Sequence, residues 1–201
     1  MSLLVETIKV VGGKLMNITY HNERMELTLY DLFGKKGSVN LEKIIEVPHS
    51  ALDGIYKCRV VYDIKITEIE FIPYILKDLR SLRLVYDDNI SYSHKYTDRI
   101  NINSLMDQRK GCDDILIIKN GKVTDTSYAN VILKDQNGNW ITPSSYLLNG
   151  TRRSNLLNNR CITEADIHAD DLKKYSEIRV INAMIGIDDS MSIPVNKILY
   201  I

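Results

Sequence analysis

A chain of 201 residues, 44% apolar and 26% charged, is long enough for one large domain or two small ones, with ordinary globular composition. Its 26 acids and 26 bases cancel, so no overall field favours nucleic acid or an anionic membrane. No apolar run approaches membrane-spanning length, and "MSLLVETIKV" reads as a strand and not as a signal peptide.

Cys58, Cys112 and Cys161 are far apart and odd in number, which argues against a disulfide framework and for a reducing cytoplasm. Those cysteines and His21, His49, His94 and His168 show no metal-ligand spacing, so no metal site is expected.

In chain order, "LLVETIKVVGGKLMNI" predicts two strands around a tight Gly12-Gly13 turn. "YHNERMELTLYDLFG" carries Met25, Leu29 and Leu32 at helical spacing, with Gly34 as C-cap, and "NLEKIIEVP" predicts a short helix ended before Pro48. "GIYKCRVVYD", "KITEIEFIPY" and "LRLVYDD" are rich in β-branched and aromatic residues and predict strands. The polar stretch "DDNISYSHKYTDR" lacks periodicity, so the linker is placed at 90–94, between an N-terminal α+β domain (1–89) and a C-terminal α/β domain (95–201). Beyond it "NINSLMDQRKG" predicts a helix, and "DDILIIKNGKVTDTSYANVILKD" a strand, an Asn120-Gly121 turn and a strand. "NWITPS" predicts a further strand and "RRSNLLNNRC" a helix. "TEADIHADDLKKYS" predicts a helix N-capped by Thr163, and "EIRVINAMIGI" a strand.

Three features could carry chemistry. The turn Gly150-Thr151-Arg152-Arg153 opens a helix, whose exposed N–H groups and dipole suit an anion; it also fits an ordinary turn with two solvated arginines. Asp125 is either a solvated edge carboxylate or a buried acid that keeps a proton on a heteroaromatic nitrogen. Lys95 is either a surface charge or a partly desolvated amine able to act as a nucleophile.

Taken in order, these features resemble the class IV aminotransferases, the fold-type IV pyridoxal-phosphate enzymes. The pattern is a lysine at the domain junction, then "NGKVTDTSYAN", then "LNGTRR". "VETIKVVGG" and "YHNERM" are similar to the family's N-terminal strand-turn and H-x-x-R helix start. "INAMIGI" is most similar to the corresponding segment of 4-amino-4-deoxychorismate lyases, where the aminotransferases tend to carry Thr-Gly-Thr or Ser-Thr-Thr. The family usually has Glu at the position of Asp125, and its Gly-Asp-Gly segment before Val5 has no counterpart here.

The resemblance implies an α/β (α+β) fold of the D-amino acid aminotransferase type, with pyridoxal 5'-phosphate in the cleft between two domains of a cytoplasmic homodimer. It implies that Lys95 forms the Schiff base and shuttles the Cα proton, and that Asp125 faces the pyridine nitrogen, with Asn130 supporting its strand. It implies a phosphate cradle of Arg24, the N–H groups of Thr151 and Arg152, and Asn182 with Ala183. Arg59 and Arg153 are candidate carboxylate binders, with solvent-facing positions equally open. His94 and Tyr96 flank the lysine, and Trp140 is expected to pack. The expected activity is a lyase converting 4-amino-4-deoxychorismate to 4-aminobenzoate and pyruvate, in folate biosynthesis. The alternatives are a branched-chain or D-amino acid aminotransferase, or a non-catalytic relative that binds a phosphorylated ligand.

Overall fold

The computed structural model describes residues 3–199, so Met1 and Ser2 of the expected opening strand lie outside the described residues. The chain divides into two compact units, one of Met1–Leu76 with His94–Asp98 and one of Lys77–Ser93 with Arg99–Ile201.

In the first unit β1 (Leu4–Val11) turns into β2 (Lys14–Leu15) through Gly12 and Gly13, at φ 53° and 74°, values that carry no Cβ penalty in glycine. Helix α1 (Ile18–Phe33) follows, then the one-turn α2 (Leu41–Ile44) and the strands β3 (Ile55–Tyr62) and β4 (Ile66–Pro73). The sheet order is β2-β1-β3-β4, antiparallel throughout. Helix α1 ends at Gly34, left-handed at φ 62°. The Gly34 N–H donates to Tyr30 O at 2.8 Å, the bond of an αL ending, and the Lys35 N–H donates to Leu29 O at 3.2 Å.

Along β1 the side chains of Leu4, Glu6, Ile8 and Val10 alternate onto one buried face, as the period of two requires. On α1 the buried residues are His21, Met25, Thr28 and Leu29. Leu4, Ile8, Val10, Met25, Leu29, Cys58 and Val60 belong to one core. Glu6 is the charged exception on that face.

The second unit begins with β5 (Leu82–Tyr86), α3 (Ile100–Met106) and β6 (Asp114–Lys119). It continues with β7 (Lys122–Thr126), β8 (Asn130–Lys134), β9 (Trp140–Pro143), α4 (Thr151–Asn158), β10 (Thr163–Ala165) and β11 (Glu177–Ile181). The sheet runs β10-β9-β8-β7-β6-β5, and β11 pairs with β8. Its interior strand β6 is buried along nearly its whole length, as expected for a strand flanked on both edges. Asn120 and Gly121, at φ 51° and 75°, make the tight hairpin into β7.

Four expectations differ from the structure. The division does not fall at 90–94. Residues 77–93 join the second unit because β5 pairs in parallel with β6, from Leu82 opposite Asp114 to Tyr86 opposite Ile118. Residues 94–98, Lys95 among them, return to the first unit, where Val5 N donates to Lys95 O at 2.9 Å and Thr97 N to Leu3 O at 2.8 Å. The single strand expected after Asn120-Gly121 is two, β7 and β8, turned at Ser127-Tyr128 with Thr126 N donating to Ala129 O at 2.9 Å.

The helix expected from Thr163 is instead the short parallel strand β10 beside β9, followed by a 3-10 turn over Ala169–Lys174. Val123 N donates to Ile167 O and Ala169 N to Gly121 O, both at 2.9 Å, so sheet pairing overrides local helical preference there. Finally, β11 stops at Ile181, because the Asn182 side chain folds the chain into a turn.

The assignment of α1 faces has a direct test. Leu29→Ala, at a side chain 3% exposed, should cost about 2–5 kcal/mol in urea unfolding. Leu27→Ala, 62% exposed on the same helix, should change stability by less than about 0.5 kcal/mol.

Candidate active site

Of the residues singled out in the sequence, Arg24 and Lys95 lie in the first unit. Arg24 lies one turn along α1 from His21, which brings both side chains over the core face of β1. There Glu6, 0% exposed, receives both of them. Arg24 Nε donates to Glu6 Oε1 at 2.9 Å and Nη2 to Oε2 at 2.5 Å, and His21 Nδ1 donates to Oε2 at 2.5 Å. A carboxylate out of water is costly unless its oxygens are met by donors, and here charge-assisted bonds meet both. Burial works against the charged form, yet the Arg24 guanidinium and the His21 hydrogen bond prevail and hold the Glu6 carboxyl at about 2. Burial pushes the His21 imidazole below its usual range, with the charges of Arg24 and Lys95 adding to it and Glu6 opposing.

Lys95 is half-buried, and its carbonyl is held by β1 at Val5, the neighbour of Glu6. Tyr96 bridges to Leu4 and packs against the first unit's core, with the His94 ring edge-on at 6.0 Å. His94 and Tyr96 are therefore both half-buried packing partners and neither is a fully solvated linker residue.

Asp125, Thr151, Arg152, Asn182 and Ala183 lie in the second unit. Asp125 is 5% exposed and is not an edge carboxylate. It stands opposite Asn130, the one residue pair joining β7 to β8. Asn130 Nδ2 donates to Asp125 Oδ1 at 2.8 Å and also to Leu148 O at 2.9 Å. The backbone N–H groups of Leu147 and Leu148 donate to Asp125 Oδ2 at 2.9 and 3.0 Å. Burial pushes the Asp125 carboxyl up to about 6, against the hydrogen bonds from Leu148, Asn130 and Leu147 and the more distant Arg153 charge.

The same asparagine explains Gly150. A Cβ at Gly150 would lie 2.0 Å from Asn130 Oδ1, so only glycine lets the turn before α4 close over β8. Gly150 N-caps α4 without a side-chain cap, and no acidic residue stands in the helix's first turn. The positive end of α4 is thus uncompensated by its own sequence. Thr151 is buried, and Arg152 Nε is buried with no hydrogen-bond partner.

Asn182 follows Ile181, the residue paired with Asn130. Its Oδ1 accepts from Met184 N at 2.8 Å and Ile185 N at 3.0 Å, while its backbone N–H and carbonyl both engage Ile185. Asn182 therefore shapes a turn, which carries the half-buried Ala183.

Neither arginine considered as a carboxylate binder is uncommitted. Arg153 is buried, stacks on Tyr146 at 4.2 Å, and donates to Pro143 O at 3.0 Å and to Glu164, pinning α4 to β9 and β10. Arg59 faces Glu68 and Glu70 across β3 and β4 at 3.6 and 3.9 Å. Trp140 packs as expected, against the core of Ile132, Leu156, Ile162 and Ile181, with Lys134 at 5.4 Å and Arg179 at 5.0 Å from its ring. Glu6 was missed in the sequence, although it shares the alternation of Leu4, Ile8 and Val10, which marks a charge on a core face. Among the described residues no cluster of His, Cys, Asp or Glu is arranged to hold a metal ion, and no helix is long and apolar enough to cross a membrane.

Asp125 makes stability depend on pH in a known direction. Its carboxyl binds a proton more tightly folded, at about 6, than at the ordinary 3.8, so its contribution is fully present below about pH 4 and is lost as pH rises through 6. Denaturant unfolding of the cofactor-free protein should show Asp125→Asn losing that decline between pH 4 and 7, a difference of up to about 3 kcal/mol.

Known proteins resemble this chain over nearly its whole length. A family model for class IV amino-transferases matches residues 3–189. An uncharacterized protein of Haemophilus influenzae is 41% identical over 186 residues, spanning 92% of this chain and 98% of its own. A crystal structure from Haemophilus somnus 129pt, provisionally named a 4-amino-4-deoxychorismate lyase, has a TM-score of 0.86 at 39% identity, covering 93% of this chain and 98% of that one. The PLP-bound form of a hypothetical aminotransferase from Mycobacterium tuberculosis shares the fold, with a TM-score of 0.75 at 16% identity over 96% of this chain and 80% of that one. With the family model spanning nearly its whole length, the chain belongs to the class IV aminotransferases, pyridoxal-phosphate-dependent enzymes of mixed α+β fold.

Proposed function

We propose that this enzyme is a 4-amino-4-deoxychorismate lyase, releasing pyruvate and leaving 4-aminobenzoate for folate synthesis. The observation that carries the lyase over a transaminase is the likeness, over nearly the whole length, to the Haemophilus somnus protein provisionally given that name. The Asn182-Ala183 pair points the same way, since neither side chain bears the hydroxyl that the aminotransferases tend to carry there. The same reading makes the protein a cytoplasmic homodimer; Cys58, Cys112 and Cys161 are all free thiols, in keeping with a reducing compartment.

The residues fit pyridoxal phosphate. Arg152 Nε, buried and without a partner beside the uncompensated end of α4, suits an arriving phosphate. Asp125 accepts from Asn130, Leu147 and Leu148, while a carboxylate has about four lone-pair sites, which leaves capacity for a protonated ring nitrogen. When bound, the cofactor supplies a carbonyl that condenses with a primary amine and a ring that accepts an electron pair.

In this reading Arg24, Arg152 and the N–H groups of Thr151 and Arg152 hold the phosphate. Asn182 contributes by shaping the turn that carries Ala183. Asp125, supported by Asn130, keeps the proton on the ring nitrogen. Lys95 would hold the cofactor through its amine until the amine of the substrate takes that place, and the Lys95 amine would then be the base that takes the proton from the substrate's amine-bearing ring carbon. With the electron pair left behind the ring would become aromatic as the bond between the ring carbon and the enolpyruvyl oxygen breaks, and the departing enolpyruvate would take up a proton at its methylene carbon, from the Lys95 ammonium or from water, to become pyruvate.

Lys95 has its own test. Borohydride reduction of the loaded protein should fix the cofactor to a single peptide containing Lys95; label on any other lysine refutes the role.

The reaction is tested by a paired assay. 4-Amino-4-deoxychorismate should give pyruvate and 4-aminobenzoate over many turnovers without a keto acid. L-Leucine, L-glutamate and D-alanine should convert the cofactor to its amine form slowly or not at all. Rapid conversion reversed by a keto acid, with no pyruvate from aminodeoxychorismate, makes the enzyme a transaminase.

A further inference from the structure

Glu6 is a carboxylate in the middle of an apolar strand face, between Leu4 and Ile8, and nothing in the proposed chemistry uses it. A buried ion pair is weak evidence for stability, because well-packed apolar residues of the same volume often do as well. Its geometry says more. A guanidinium is a rigid plane with a side edge, Nε and Nη2, and an end edge, Nη1 and Nη2. Glu6 binds the side edge with both oxygens, at 2.9 and 2.5 Å, and is itself held by His21 at 2.5 Å. The plane of Arg24 is therefore set, and its Nη1 corner is directed away from Glu6. The next residue on the same strand, Val5, holds the carbonyl of Lys95. Adjacent residues of β1 thus register the arginine and the lysine.

We infer that Glu6 is a positioning residue for cofactor binding: it presents Arg24 to the cofactor phosphate in one orientation. With Glu6 ionised the pair carries no net charge, so it offers the phosphate aimed N–H groups in place of a bare field. This rests on the reading that Arg24 meets the phosphate.

The test compares two probes on the cofactor-free protein by equilibrium dialysis, pyridoxal phosphate and pyridoxal, which differ only in the phosphate. Glu6→Gln should weaken pyridoxal phosphate about 10- to 100-fold, the scale of loss when the outer partner of a metal-binding side chain is removed, and leave pyridoxal unchanged. Glu6→Asp keeps the charge beside His21 but draws the carboxylate back by one methylene. It should fold even where the glutamine variant does not, and show the same selective loss. Loss of both probes alike would mark Glu6 as merely structural and overturns the inference. Arg24→Ala separates the inference from the reading beneath it. If Arg24→Ala loses the preference for the phosphate while both Glu6 variants keep it, the inference is wrong and the role of Arg24 stands. If Arg24→Ala keeps the preference, the role of Arg24 is wrong and the inference falls with it.

Discussion

A carboxylate taken out of water must be met by donors, and both candidate site regions of this protein are arranged around that requirement. In the first unit the carboxylate is Glu6, and meeting it brings the first turns of α1 over β1. In the second it is Asp125, and meeting it closes the 147–148 segment onto β7 and, through Asn130, sets where α4 begins. Neither acid could be replaced by an apolar residue without releasing several partners at once.

The two solutions have opposite chemistry. Glu6 is met by a cation and an imidazole, so it remains ionised, with its carboxyl near 2. Asp125 is met by neutral N–H groups, and burial leaves its carboxyl near 6. An acid poised there gains from any protonated heterocycle brought against it, because a charged donor favours the ionised form. The shorter side chain, Asp in place of the usual Glu, is accommodated on the protein's side by two backbone N–H groups and one asparagine amide.

Asn130 and Asn182 show how short polar side chains organise a strand end. Asn130 bonds the Asp125 carboxylate and the Leu148 carbonyl through one amide nitrogen, and its oxygen leaves room only for a glycine at 150. Asn182 takes two backbone N–H groups on its oxygen and ends β11. These side-chain bonds compete with the sheet ladder and win where the ladder is already ending.

Local pattern and turn chemistry made much of the fold legible in the sequence. The β1–β2 hairpin, α1 with its Gly34 ending, the Asn120-Gly121 turn and the start of α4 at Gly150 each depend on residues close together in the chain. The ordered set of Lys95, Asp125 and Gly150-Thr151-Arg152 was legible for the same reason, and it sufficed for the family. What the sequence alone did not decide depends on partners far along the chain. Residues 77–93 join the second unit because β5 finds β6, and Lys95 joins the first because β1 finds its carbonyl. The segment after Thr163 becomes a strand because β9 offers an edge. Whether Asp125 is a solvated edge acid or a buried one was open in the sequence, since alternation cannot say which residue covers a position. The loop of Leu147 and Leu148 covers it, and a backbone N–H has no side-chain signature to read.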